Sequence, residues 1–162
     1  MKKLALIAFP ILAMLLAGCL EVQSPQVTYQ DTQVSVISVQ ELNAKSSFSI
    51  KNPNPIGING NVEYNLSIDG KPFTSGITST IEMPASGQTT FVLESRVDLV
   101  KVFGTLTNIV SLVAQGKTSV PYAINGKFKS NLMGMPIEAP VKASGNLPLP
   151  KLSDLTNIQI KF

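Results

Sequence analysis

The amino-acid sequence predicts an all-β chain, a two-sheet β-sandwich of about six to eight strands with one short α-helix at about residues 97–115. Three observations carry that expectation. Val62, Tyr64, Leu66 and Ile68 alternate with Glu63, Asn65 and Ser67, the period-two pattern of a strand with one buried face. Turn signals punctuate the chain: Asn-Pro twice at 52–55, Asp69-Gly70, "ASGQ" at 85–88 and "NLMGMP" at 131–136. A single segment, "DLVKVFGTLTNIVSLVAQG", repeats its apolar residues at three- and four-residue spacing.

Taken from the N-terminus, Lys2 and Lys3 precede an apolar run, "LALIAFPILAMLLAG" at 4–18. A spanning helix needs about 20 apolar residues, so this run fits the apolar region of a secretory signal. Pro10 weakens it further as a helix. Leu16, Ala17 and Gly18 lead into Cys19, and the polar stretch "EVQSPQ" follows from Glu21. The "LAGC" step resembles the bacterial lipobox, in which a diacylglyceryl group joins the cysteine thiol and the chain is cut before it. The resemblance implies a signal peptide at 1–18 and a lipidated Cys19 opening a polar tether at 19–26. The other readings of Cys19 are a buried thiol or the end of an uncleaved anchor. As the only cysteine it has no intrachain disulfide partner. Leu20 in place of Asp after the cysteine resembles an outer-membrane sorting signal, given a Gram-negative cell.

Charge adds little. Thirteen Lys and Arg against ten Asp and Glu give +3, and taking out Lys2 and Lys3 with the leader leaves +1. No basic cluster remains to suggest a nucleic-acid partner. The 144 residues left are one domain's worth, and the sandwich is expected over 27–147 with a C-terminal tail at 148–162.

"VTYQDTQVSVISVQ" (27–40) is rich in β-branched residues, and its alternation changes phase between Val36 and Ile37, which suggests a bulge or bend there. "SSFSIKN" puts Phe48 and Ile50 on one face. After the strand at Val62–Ile68, Asp69-Gly70 is a hairpin signal because both turn residues tolerate positive φ. The returning strand carries Gly76, where a bulge is expected. In the helical segment Leu99, Phe103, Leu106, Val110 and Val113 form the stripe, widened by Val102 and Ile109. Ser95 with Asp98 resembles a capping box, and Gly116 stands where a left-handed cap belongs. Tyr122, Ile124, Phe128 and Leu132 share one parity of the next strand. The last, with Pro136, Pro140, Pro148 and Pro150, is expected to lie at a sheet edge or to be broken, because Pro removes ladder donors. Met133 and Met135 flank Gly134 in a turn; burial over the core end is expected, and exposed they would contact apolar surfaces.

Asn52-Pro53-Asn54-Pro55 lies between two strands. Each Pro fixes φ and bars its predecessor from the helical region, and each Asn can bond the backbone two residues on. The stretch is therefore expected to carry the chain from one sheet to the other along a fixed path. With the hairpin behind it, "NPNPIGINGNVEYNLSIDGKPFTSG" resembles the signature of the late-embryogenesis-abundant type 2 group, also called the WHy domain. Asn52, Pro53, Asn54, Tyr64, Asp69, Gly70 and Gly76 match it, with Pro55 extending the motif. The resemblance implies an Ig-like or fibronectin-like sandwich, a link to tolerance of dehydration and cold, and no catalytic residues.

The residue inventory points the same way. The chain has no His, which removes Ser-His-Asp and Cys-His mechanisms and the commonest zinc ligand. No cofactor or metal is expected. Asp69, Asp98 and Glu138 are scattered, and "GKTS" at 116–119 lacks the earlier glycine of a phosphate loop. The expectation is a non-enzymatic envelope lipoprotein protecting envelope proteins or membranes under water, cold or osmotic stress. Its partners would be the membrane, through the acylated cysteine, and partly unfolded clients. The alternative is an adaptor in an envelope assembly or transport complex, using a sheet edge for strand addition.

Overall fold

The computed structural model describes residues 22–151 and residue 153. Within them the order is β1 (Gln26–Val36), β2 (Glu41–Lys51), β3 (Ile58–Ile68), β4 (Lys71–Ile77), β5 (Ile81–Met83), β6 (Gln88–Asp98), α1 (Leu99–Phe103), α2 (Leu106–Ala114), β7 (Ser119–Leu132) and β8 (Met135–Pro148). All pairings are antiparallel. One sheet runs β1-β2-β6; the other runs β4-β3-β7-β8, with β5 pairing the first residues of β3. This is the two-sheet sandwich expected from the alternating pattern.

The inner faces supply the core. Leu42, Phe48 and Ile50 of β2 meet Val62, Ile68 and Phe128 of the other sheet, all fully buried. Phe48 stacks on Phe91 at 5.2 Å and takes the edge of Tyr29 at 5.6 Å. Burying such a side chain contributes about 2–3 kcal/mol. β8 is an edge strand, as its prolines require: Pro136, Pro140 and Pro148 all stand on its exposed face. The chain continues inward beyond it, for Leu149 and Pro150 are buried and Leu149 N–H donates to Thr118 O at 2.8 Å.

Several local expectations are corrected. The helical segment is two helices, because Gly104 adopts φ 85° and closes α1 with a bond from its N–H to Val100 O. Asp98 alone caps α1, its carboxylate accepting from Val100 and Lys101 N–H, and Thr105 caps α2; Ser95 is a β6 residue. The break re-aims the second helix, so Leu99 and Ile109 are the fully buried members and Val110 is only half-buried. Gly116 does end α2: its N–H bonds Val113 O, and Lys117 N–H bonds Leu112 O. After Val36 the expected break is a bend, since β1 ends there and the chain bends at 38–40 into β2; the bulge of β1 falls instead between Tyr29 and Asp31. In the β3–β4 hairpin the shift lies between Leu66 and Ser67, opposite Phe73, and not at Gly76.

The registers define two ends. At the loop end lie the start of β1, residues 52–57, the turn at 84–87 and the Met133-Gly134 turn. At the helical end lie residues 37–40, the Asp69-Gly70 turn, both helices and the close of β8.

Candidate functional site

The densest polar arrangement of the interior is at the loop end, built by Asn52 and Asn54. Asn52 is fully buried and Asn54 is 3% exposed. Buried amides require partners, and these have them. Asn52 Nδ2 donates to Ile56 O at 2.8 Å and to Pro84 O at 3.0 Å. Its Oδ1 accepts from Asn54 N–H and Asn54 Nδ2, both at 3.0 Å. The first of these is the two-residue side-chain turn expected for the motif. Its own N–H reaches Gly87 O, and Ser86 N–H reaches Asn54 O, at 2.8 Å each.

Asn54 then turns outward to the chain start. Its Nδ2 donates to Gln23 O and its Oδ1 accepts from Gln23 N–H, both at 2.8 Å. The side-chain amide thus pairs with one backbone residue as a neighbouring strand would. Gln23 belongs to the stretch expected to be a free tether; instead Pro25 beside it is buried and Val22 packs half-buried against the core. No sequence signal singled out Gln23, because its backbone makes the contact, and backbone groups are the same in every residue.

The other motif residues are structural. Pro53 is half-buried and Pro55 exposed. Asp69 and Gly70 take φ 51° and 74°, the doubly left-handed two-residue turn. Tyr64 faces Gly76 on β4 and Gly126 on β7. A Cβ at Gly76 would stand 2.9 Å from the Tyr64 hydroxyl oxygen, so the glycine makes a seat for the ring. Leu16, Ala17, Gly18 and Cys19 lie outside the described residues.

The three carboxylates singled out in the sequence each have a nearby partner. Asp98 is a helix cap, Asp69 pairs Lys117 at 3.7 Å, and Glu138 accepts from exposed Lys127 at 2.8 Å. The Lys127 ammonium holds the Glu138 carboxyl below the usual carboxylate range, and the Asn43 amide does the same to Glu94. A hydroxyl cluster sits inside the seam between β1, β2 and β7: Thr32 Oγ1 accepts from Tyr122 at 2.6 Å and Tyr29 at 3.0 Å and lies 2.8 Å from Ser46 Oγ. Burial pushes the Tyr122 phenol up, and no base touches the cluster. The void beside it, lined by Ser46, Ser95 and Tyr122 among apolar groups, holds about 10 Å³, room for roughly one water. A surface hollow of about 470 Å³ is lined by Asn65, Ser67, Phe73 and Asn125 and carries no ionisable group. No group of three or more His, Cys, Asp or Glu comes together among the described residues.

Comparison with solved structures finds the same fold at low identity. A solution structure of a LEA-assigned protein aligns with TM-score 0.59 at 18% identity, over 90% of this chain and 83% of that one. A solution structure from Arabidopsis thaliana aligns at 0.57 and 15%, over 82% and 87%. A crystal structure of a protein from Archaeoglobus fulgidus aligns at 0.51 and 12%, over 81% and 99%. Comparison with curated protein sequences finds no match. The family model described as late embryogenesis abundant protein matches residues 47–145, from within β2 to within β8 and through the whole Asn-Pro-Asn junction. On that match, over more than half of its length, the chain belongs to the late-embryogenesis-abundant type 2 family.

Proposed function

We propose that this chain is a non-enzymatic, lipid-anchored envelope protein of the WHy kind, protecting envelope proteins or membranes during water, cold or osmotic stress. The observation that carries the reading is the pairing of Asn54 with Gln23, four residues after Cys19. A thiol acylated there holds a rigid sandwich close to the membrane surface, with no long linker between. Two or three acyl chains give stable attachment where one is marginal. In a cell with two membranes the anchor sits at the periplasmic face of the outer membrane.

Protection needs surface and no reactive atom. The outer face of the five-stranded sheet presents exposed Asn59, Asn65, Asn125 and Asn146. Each neutral amide both donates and accepts, and the amides stand among exposed charges, Glu63, Lys127, Lys129, Glu138 and Lys142, so this face offers clients neutral hydrogen bonds beside charges of both signs. Contacts of this sort are weak and reversible, which suits a protector that must release what it holds. The test is aggregation of model enzymes through freeze–thaw with the acylated chain present. Protection without a dedicated partner supports the reading; no protection, with one stoichiometric partner captured from crosslinked envelopes, favours an adaptor instead.

One observation favours that second reading. β4 and β6 are each the last strand of their sheet on the same flank. Between them lies a groove of about 260 Å³ lined by Tyr64, Phe73, Glu94, Arg96 and Lys101, where a partner strand would add.

A further inference from the structure

We infer that the Met133-Gly134 turn is a membrane-contacting tip that orients the sandwich with its loop end against the phospholipid surface; this rests on the lipid-anchor reading of Cys19. The first ground is reach. Gln23 is fixed at the loop end by Asn54, and the four residues from Cys19 to Gln23 span at most roughly 14 Å at about 3.3–3.6 Å per residue. The acylated end therefore brings this end of the sandwich to the lipid. The Met turn lies on the same end: Gly60 pairs Ser130, so Leu132 is level with Ile58 and the turn projects beyond it, beside residues 52–57.

The second ground is the turn itself. Met133 takes φ 52° and Gly134 φ 86°, the same doubly left-handed turn as Asp69-Gly70. Asn, Asp or Gly is favoured at the first position, and a long unbranched side chain there is strained. Met133 is nevertheless 78% exposed and Met135 46%. An apolar side chain that is both strained and solvated answers to no need of the fold, and such breaks of local rule mark function. Its soft, flexible thioether suits an irregular acyl-chain boundary.

The third ground is charge. Across 22–29, 50–59, 82–89 and 130–137 the only charged residues are Lys51 and Glu82. The helical end carries Glu41, Asp69, Arg96, Asp98, Lys101 and Lys117. A surface meant to lie on lipid through apolar contact is kept free of charge, since each buried charge costs desolvation; the opposite end also exposes Val36 and Ile37, but it sets them among charges that resist leaving water.

The chain contains no tryptophan, so a single introduced one reports alone. The acylated full-length chain carrying Met135→Trp, and separately Thr107→Trp on exposed α2, is placed on phosphatidylethanolamine–phosphatidylglycerol vesicles with brominated acyl chains. The mass of the Cys19 peptide is read in parallel. The inference expects a diacylglyceryl mass on Cys19, loss of most Met135→Trp emission, an unquenched Thr107→Trp, and little change with added salt. Adding Met133→Asn, which fits the turn better, should restore the Met135→Trp emission with folding intact. Equal or absent quenching at both positions, with Cys19 acylated, overturns the tip and leaves the anchor standing. An unmodified Cys19 overturns both.

Discussion

At the helical end of the sandwich Leu99 and Ile109 close the core with apolar side chains, whereas at the loop end Asn52 and Asn54 close it with amides. The difference lies in what each kind of contact fixes. Apolar packing is non-directional and tolerates small shifts. A buried amide with all its bonds made tolerates few, since each lost partner leaves a polar group unpaired. The directional closure stands where the chain arrives from its expected anchor. The tolerant one stands at the far end, where α1 and α2 meet at an angle set by Gly104. An asparagine within β2 sharpens the point: Asn43 Oδ1 is buried without a partner, while Asn52, just past the strand's exit, uses every donor and acceptor of its side chain.

The comparison breaks most visibly at Asn52. Asn52→Ala leaves Ile56 O, Pro84 O and Asn54 N–H unpaired, at about 1–3 kcal/mol each, and should cost roughly 4 kcal/mol in denaturant unfolding. Asn52→Asp, nearly the same shape, should be no better, because a carboxylate turned to two carbonyl oxygens has no donors. A mild Asp variant would mean that space-filling, not hydrogen bonding, is what the residue supplies. At the helical end Ile109→Ala should cost about 3 kcal/mol, the usual range for a fully buried large-to-small change. It should leave amide exchange at the loop end untouched. If the two ends respond together, they are not separate closures.

Asn54→Ala is expected to cost less, about 2 kcal/mol, but to release Gln23 and expose residues 22–25 to proteolysis while β2 and β3 stay protected. Met133→Asn should gain about 1 kcal/mol in solution by relieving the left-handed strain, read as a rise in the unfolding midpoint. The smallest effect concerns pH. The folded carboxyls of Glu94 and Glu138 titrate below their ordinary range. Their contribution is thus present above the unfolded value of about 4.3 and fades as pH falls through the folded one. Both are exposed to water, so the loss should be shallow, and Lys127→Met should remove the Glu138 share of it.

Much of the architecture was legible because a sheet with one wet face writes itself in period two: β3 and β7 bury the residues their parity marked, with Tyr64 half-buried. The doubly left-handed Asp69-Gly70 turn follows from residue chemistry in the same way. The helix break did not show, since the apolar spacing runs through Gly104 and only its φ reveals the stop. The Gly76 bulge was misplaced because a glycine in a strand signals either a bulge or a close neighbour, and here Tyr64 is that neighbour. Met133 and Met135 were expected under the core end; the turn geometry, invisible in composition, holds them out. In the junction itself the turn-forming role of Asn52 was readable. The partner of Asn54 was not, because Gln23 lies 31 residues away and contributes only backbone.

Amide hydrogen exchange at Gln23 reaches the central claim most directly, that buried asparagines lock the arriving chain to the fold. The account predicts that the Gln23 N–H is protected nearly as well as its neighbours in β1, and that Asn54→Ala strips this protection while β2 and β3 keep theirs. A Gln23 that exchanges in the native chain as freely as an open terminus would contradict it.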